Sequence, residues 1–394
     1  MITSACAAQG LGVQCTMSFL RANSRVARGV ALRALQTRAI ATNTPRTPIA
    51  IAFDIDGVLK QGSVVLPEAV RTLKMLEGDN PWRVKVPYLF ITNSGGKEEA
   101  ARATDLSNDF QQKVVPEQVI QAHTVMQSLT ALYADKPVLM IGGPNHPPGG
   151  CRSVLEKYVY DSHRYGFNQV YTPFDLHAYA PASFPYAAPD PEQASAVRRV
   201  DFSQVQFQAI FVFHDSREWG RDIQYCVDLM RADNGVFGTV LTNEELRKRP
   251  KLPIYFSHGD LVWGNDFSVP RLGQGAFRTA LEAVYRRMTE GGEIEAITFG
   301  KPERLTYEYA NELLQMLLSR ASAQGEVRVQ PKNIWMIGDN PASDIMGANG
   351  FGWSSALVRT GVYRDAEGAP ASKPTLIADN VEEAIKTIMQ RTWS

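Results

Sequence analysis

Between Met1 and Phe53 there is no acidic side chain, although the 394-residue chain carries 41 Asp and Glu against 41 Lys and Arg. The resulting formal net charge of zero argues against a nucleic-acid partner, because a surface that binds phosphate backbones needs a basic excess. No continuous apolar run approaches the roughly 18–20 residues of a bilayer-spanning helix, so no transmembrane segment is expected. Cysteine is scarce, at four residues, and these lack the paired spacing of a zinc site or a disulfide framework. Cys151 and Cys226 are read as small buried apolar side chains in a reducing compartment.

The acid-free segment is filled instead by Arg21, Arg25, Arg28, Arg33, Arg38 and Arg46 among Ser, Thr and Ala. Leu20, Val26, Val30 and Leu35 give apolar spacing for an amphipathic helix. This is the composition of a mitochondrial transit peptide, with a disordered basic tail as the competing account. A secretory signal fits poorly, since no apolar stretch follows a basic start. The expectation is a presequence and linker over residues 1–46, cut near Arg38–Ala41 and taking Cys6 and Cys15 with it. The destination is then the mitochondrion, in its matrix.

Beyond residue 46 the apolar patterning alternates between strand and helix. Ile49–Phe53 and Val86–Ile91 read as buried strands, each followed by a helical stretch, from Pro67 and over Lys97–Asp105. The pattern resumes with strands at Ala296–Phe299, Asn333–Ile337 and Ser355–Arg359, and helices at Pro302–Arg320 and Asn380–Gln390. That alternation predicts an α/β fold with a doubly wound, Rossmann-like parallel-sheet core. The intervening segment is too long for a loop. Its helices at Pro116–Tyr133, Ser153–Tyr158 and Asp222–Arg231, and its strands at Pro137–Ile141, Ala209–Phe213 and Val236–Leu241, predict an inserted α/β cap domain. The expected division is core over 47–115, cap over 116–265 and core again over 266–394. Gly142–Gly150 is glycine-rich, but its three prolines remove amide donors and favour a plain connection over a phosphate cradle.

Four short signals stand at the C-terminal ends of predicted strands, where open α/β sheets bind ligands. In Phe53-Asp54-Ile55-Asp56-Gly57, alternation along an extended chain aims Asp54 and Asp56 into one crevice. One carboxylate can attack phosphorus, and the other can protonate the leaving alcohol and then activate water. In Thr92-Asn93-Ser94-Gly95-Gly96, a hydroxyl and successive amides suit phosphate oxygens. In Gly300-Lys301-Pro302, the ammonium can neutralise both phosphate and nucleophile. In Gly338-Asp339-Asn340-Pro341-Ala342-Ser343-Asp344, two further carboxylates can complete an oxygen-rich Mg2+ site. Each signal alone also reads as an ordinary turn, cap or solvated side chain; their order and placement favour chemistry.

Together these residues resemble the four motifs of the haloacid dehalogenase-like phosphatase superfamily. The long insertion resembles the cap of its class IIA members, such as NagD-type and glycerol-phosphate or pyridoxal-phosphate phosphatases. The basic leader with Asp-Ile-Asp-Gly-Val-Leu, Thr-Asn-Ser-Gly-Gly and Gly-Asp-Asn-Pro-x-Ser-Asp-Ile is most similar to the mitochondrial cat eye syndrome critical region branch. The resemblance implies a Mg2+-dependent phosphoric monoester hydrolase acting on a small phosphorylated metabolite, with glycerophospholipid precursors as the class that family context suggests, and a homodimer formed through the cap. It implies Asp54 as nucleophile and Asp56 as general acid/base, with Thr92, Asn93 and Ser94 at the phosphate and Lys301 as stabilising cation. Metal contacts are implied for Asp54, Asp56, Asp339 and Asp344. Where relatives return from the cap with Asn-Pro-Asp, this chain has Ser257-His258-Gly259-Asp260, which makes His258, Asp260 and Trp263 candidate specificity residues. A phosphotransferase, or a non-catalytic scaffold of the same fold, is the competing function.

Overall fold

The computed structural model describes residues 47–143, 165–186, 197–263, 267, 269–321 and 328–394. The expected presequence, the helix at 153–158 and most of the glycine-rich loop lie outside them.

Two parallel sheets organise the chain. The first has six strands in the order Leu376–Ala378 (β15), Ser354–Val358 (β14), Ile334–Gly338 (β13), Ala50–Phe53 (β1), Tyr88–Ile91 (β4) and Val119–Ile120 (β5). The second has five, in the order Glu295–Thr298 (β12), Pro253–Phe256 (β9), Ala209–Ser216 (β8), Val138–Gly143 (β6) and Val170–Tyr171 (β7). Two short antiparallel hairpins complete the strands among the described residues: Lys60–Gln61 (β2) with Val64–Val65 (β3), and Val262–Trp263 (β10) with Arg271–Leu272 (β11).

Strand β1 shows why the first sheet forms. Ile51 and Phe53 face one apolar cluster with the helices Pro67–Leu76, Glu99–Phe110 and Val381–Trp393, while Ala50 and Ala52 face another with the helix Arg304–Ala321. Both faces are covered, so the strand is apolar throughout rather than alternating. The second cluster continues through Phe299 into Tyr255, Phe211 and Met140 of the second sheet. One apolar layer therefore joins the two sheets. The far side of the second sheet packs against the helices Trp219–Met230 and Gln274–Met288. Cys226 sits in that layer, fully buried, and burial pushes its thiol well up. Among the described residues no helix is long and apolar enough to cross a membrane.

The boundaries differ from the sequence reading in two places. Val119–Ile120 hydrogen-bonds beside β4 in the first sheet, so the chain leaves the core later than residue 116. At the other end β12 pairs with β9 over Glu295–Thr298 and Pro253–Phe256. The second sheet thus extends well past residue 265, and this strand belongs to the cap sheet rather than to the resumed core. The reason is that apolar patterning identifies a strand but carries no information about its partner. The expected strand over Val236–Leu241 is absent; only a single bridge joins Gln206 and Val236 there.

Candidate active site

Parallel strands put their C-terminal ends at one edge, and the chain there carries its acids. Asp54 follows β1, and its backbone N–H continues the ladder by donating to the Ile337 carbonyl at 2.9 Å. Asp339 follows β13, the neighbouring strand. Thr92 follows β4, its N–H donating to the Ile120 carbonyl at 2.9 Å. Asp344 comes back to the same edge on the turn after Asp339, where its Oδ2 accepts from the Asn340 N–H at 3.0 Å.

Carboxylate oxygens of Asp54, Asp339 and Asp344 lie within 4.8 Å of one another, and all three residues are buried. Lys301 enters from the second sheet's return and places Nζ 2.6 Å from Asp54 Oδ1 and 2.7 Å from Asp344 Oδ1. Lys301 is only 3% exposed and Asp344 0%, so the pairs are little screened by water. Burial pushes the Asp54 carboxyl well above the usual range; the Lys301 charge opposes this, and Asp344 and Asp339 add to it. Asp339 is pushed up to about 6, by burial first and then by Asp344, against the Val362 N–H and Lys301. For Lys301 burial works against the charge, but Asp344 and Asp54 outweigh it and hold the ammonium firmly protonated.

Glycines let the acids approach. A Cβ on Gly57, whose φ is +81°, or on Gly361 would overlap the Asp339 carboxylate, and one on Gly338 would overlap Asp344. The loop carrying Gly361 also fixes Asp339, since the Val362 N–H donates to its Oδ2 at 2.6 Å. The Thr360 hydroxyl donates to the Gly57 carbonyl at 2.6 Å. No motif in the sequence reading contains residues 359–363; the only signal would have been a glycine following a strand.

The remaining expected residues are at the same edge, with different partners. Asp56 is exposed, outside the buried acid cluster, and its Oδ2 accepts from the Ser94 hydroxyl at 3.0 Å. Thr92 Oγ1 accepts from the Ser94 N–H at 3.0 Å. The Asn93 side chain is engaged by protein rather than left open to a ligand. Its Oδ1 accepts from the Lys301 N–H at 2.7 Å, and its Nδ2 donates to the Lys301 carbonyl at 3.0 Å. The same Nδ2 reaches Asp260 Oδ1 and Oδ2 at 3.1 and 3.0 Å. Asp260 thus meets the core through Asn93. Trp263 is 39% exposed on the β10–β11 hairpin.

The sequence reading named His258 and Asp260 but missed their neighbours His123, His214 and Asp215. His214 and Asp215 stand immediately before Ser216, the last residue of β8, and His123 precedes a short helical turn at Thr124–Leu129. The Gly96 N–H donates to His214 Nδ1 at 3.2 Å, and the rings of His123 and His214 are 4.6 Å apart. His258 Nε2 is 3.3 Å from Asp215 Oδ1, and its Nδ1 is 3.6 Å from Asp260 Oδ2.

A Rossmann-like parallel α/β core with a second sheet inserted, and buried acids with one lysine gathered at its ligand-binding edge, is the class of fold and site that the chain presents. Residues 51–160 match the family described as haloacid dehalogenase-like hydrolase, and residues 298–384 match a second, HAD-hydrolase-like description. A Saccharomyces cerevisiae protein named as a mitochondrial hydrolase is 36% identical over 364 residues, covering 88% of this chain and 97% of the relative. A Schizosaccharomyces pombe protein named as a fusion of a CMP-forming cardiolipin synthase with a mitochondrial hydrolase is 35% identical over 352 residues. That match covers 89% of this chain and 54% of the fusion. The p-nitrophenyl phosphatase from Archaeoglobus fulgidus shares the fold, with a TM-score of 0.55 at 15% identity over 86% of this chain and 99% of that one. The chain belongs to the haloacid dehalogenase-like hydrolase family, in its class IIA branch.

Proposed function

We propose that this protein is a Mg2+-dependent phosphatase that cleaves a small phosphate monoester through an aspartyl-phosphate on Asp54. The observation that carries the reading is Lys301 Nζ held between Asp54 and Asp344 at 2.6 and 2.7 Å. A buried cation at a carboxylate keeps it oriented and lowers the repulsion that an incoming phosphate dianion would meet. Asp54 forms the new bond to phosphorus as the ester P–O bond breaks, and Asp56 gives its proton to the departing alcohol. Asp56 then takes a proton from the water that attacks the aspartyl-phosphate, releasing phosphate and restoring the Asp54 carboxylate. The exposed position of Asp56, hydrogen-bonded to the Ser94 hydroxyl, suits a group that must meet both alcohol and water. In this reading the Thr92–Gly96 turn meets the phosphate oxygens through the Asn93 and Gly95 amides, because the Thr92, Ser94 and Gly96 amides donate within the protein.

The donor set fits a hard divalent cation. Three buried carboxylates face one ammonium, and two of them hold their protons more strongly than usual, through burial first and then mutual repulsion. Oxygen-only ligands suit magnesium, and Asp54, Asp339 and Asp344 would hold it. When bound, the ion supplies charge neutralisation for phosphate and nucleophile together.

The substrate class we infer is a phosphorylated precursor of glycerophospholipids, handled in the mitochondrial matrix. It is supported by the family relatives, one named as a mitochondrial hydrolase and one joined in a single chain to a cardiolipin synthase. The test is phosphate release by the protein from a panel of glycerol and other small phosphate esters, with and without magnesium. Asp54→Asn is expected to lower metal-dependent turnover by about a thousandfold or more, the scale of a lost nucleophile. Retained turnover in that variant would sink the mechanism. Capture of the phosphoryl group by an added alcohol in preference to water would make the enzyme a transferase. Absence of turnover on the whole panel, with full cellular function of Asp54→Asn, would favour a scaffold.

A further inference from the structure

We propose that His258 is a positioning residue: braced between Asp215 of the second sheet and Asp260 of the return loop, it fixes the turn that carries Lys301. The inference rests on the reading of Asp54 and Lys301 as the reacting centre, and adds to it a group that touches neither phosphate nor nucleophile.

The chain of contacts is continuous. Asp215 is the penultimate residue of β8, a strand in the middle of the second sheet. Its Oδ1 is 3.3 Å from His258 Nε2, and His258 Nδ1 is 3.6 Å from Asp260 Oδ2. Burial raises the Asp215 carboxyl, yet the His258 contact and the His258 and Arg217 charges more than reverse this, leaving it below the usual range. Asp260 then receives Asn93 Nδ2 at 3.0 and 3.1 Å, and Asn93 clasps both the N–H and the carbonyl of Lys301.

A second route is direct. Gly300 precedes Lys301 with φ +81°, and a Cβ there would lie 2.9 Å from His258 Cβ and 2.8 Å from Asn93 Oδ1. His258 therefore packs against the very backbone that turns Lys301 inward, and only glycine accepts both the conformation and the approach. His258 is itself 8% exposed and backed by the Gln274 side chain, whose Oε1 accepts from the His258 N–H at 3.3 Å. The ring thus lies between the Asp215 and Asp260 carboxylates, with the Gln274 side chain behind its backbone and Gly300 against its Cβ, and close packing on every side leaves it little room to move.

The consequence concerns distance. Lys301 Nζ meets two carboxylates at 2.6 and 2.7 Å, and displacement of a catalytic group by about 1 Å can cost on the order of a hundredfold in rate. Loosening the His258 brace should leave substrate contacts in place and reduce the chemical step.

Two readouts test this in the full-length protein, one of them independent of turnover. Hydrogen exchange at the Lys301 amide reports its bond to Asn93 Oδ1, and the Val362 amide, bonded to Asp339, serves as an internal control. The variants are His258→Asn and Asp215→Asn, which attack the brace from its two ends, so failure of one to fold leaves the other. Expected is exchange at Lys301 faster by about tenfold with Val362 unchanged, and kcat lower by about ten- to a hundredfold with KM within about threefold. Unchanged Lys301 exchange in both variants would overturn the inference, as would a loss confined to KM or faster exchange without a fall in kcat. Equal acceleration at Val362 would also overturn it, by showing general loosening. Should the wild-type protein hydrolyse no ester while Lys301 exchange still responds selectively, the brace stands and the proposed reaction falls.

Discussion

The two sheets follow one rule, parallel strands buried on both faces, yet their C-terminal edges end differently. The first ends in Asp54, Thr92 and Asp339: Lys301 holds the Asp54 carboxylate, and the Val362 N–H with the bare Cα atoms of Gly57 and Gly361 confine that of Asp339. The second ends in His214, Asp215 and, past β9, His258 and Asp260, from which the β10–β11 hairpin projects. That hairpin exposes Leu261, Val262, Trp263 and Leu272, at 57%, 48%, 39% and 59%. Buried acids held by main chain are costly to disturb, whereas exposed apolar side chains can vary with little effect on stability. Under the proposed mechanism the buried first edge carries the chemical step, with the His258 brace only positioning Lys301, and the exposed hairpin beyond the second edge carries choice of substrate; that division can be broken at either end.

The hardest test of the first edge is Lys301→Met. Removing the ammonium leaves Asp54 and Asp344 facing each other without a counter-charge. The expected loss in kcat is about a hundred- to a thousandfold, with destabilisation of about 3–5 kcal/mol at pH 8. The destabilisation should shrink below pH 6, because Asp339 takes up its proton at about 6 and burial holds Asp54 protonated more strongly than usual. Denaturant unfolding at the two pH values measures this; equal destabilisation at both would mean the lysine acts by packing alone.

Gly361→Ala is a smaller and more selective blow. Its new methyl would overlap the Asp339 carboxylate, so either the loop or the acid must shift. Overpacking of this kind costs about 1–3 kcal/mol, and we expect magnesium affinity to fall by about tenfold or more, measured by calorimetry. Unaltered affinity would show that Asp339 does not hold the ion.

Magnesium and pH should be linked in the unaltered protein. Asp339 is raised to about 6 in the fold against about 3.9 in an unfolded chain. A raised acid favours the fold while protonated, so this contribution is present below about pH 4 and is lost as pH rises through about 6. At the proposed site, magnesium bound to the ionised cluster should restore stability at pH 7.5, by about 2.7 kcal/mol at a hundredfold excess over its dissociation constant. At pH 5 protons compete and the added ion should do much less. Thermal midpoints with magnesium and with chelator, at both pH values, decide it.

These particulars also show what the sequence could and could not reveal. Ile49–Phe53 and Asn333–Ile337 are apolar on both faces and end in acid, so their place as central parallel strands was legible, and with it the meeting of Asp54 and Asp339. Lys301 was found because its motif follows an apolar strand, although that strand, β12, pairs in the other sheet. Strand-strand partnership over long separations has no local signal. The same limit hid the engagement of Asn93 by Asp260, 167 residues away, and the brace from Asp215 to His258. An acid near the end of a buried strand reads as nothing until its partner arrives. Gly361 belonged to no motif, and its role comes only from the carboxylate that fills its missing Cβ.

The mildest prediction bears on the second edge. Trp263→Ser removes an exposed indole from the hairpin that starts at Asp260, while leaving Asp260 and its bond to Asn93 untouched. Surface changes of this kind usually alter stability by no more than about 0.5 kcal/mol, so the thermal midpoint should hold. If the hairpin contributes apolar contacts to the organic part of the substrate, kcat/KM for the preferred ester should drop several-fold through KM, since one lost apolar contact is worth about 1–3 kcal/mol. Hydrolysis of p-nitrophenyl phosphate, whose leaving group is small, should change less. A matched fall in kcat for both esters would instead tie Trp263 to the chemical step, and the division of labour between the two edges would fail at its weakest point.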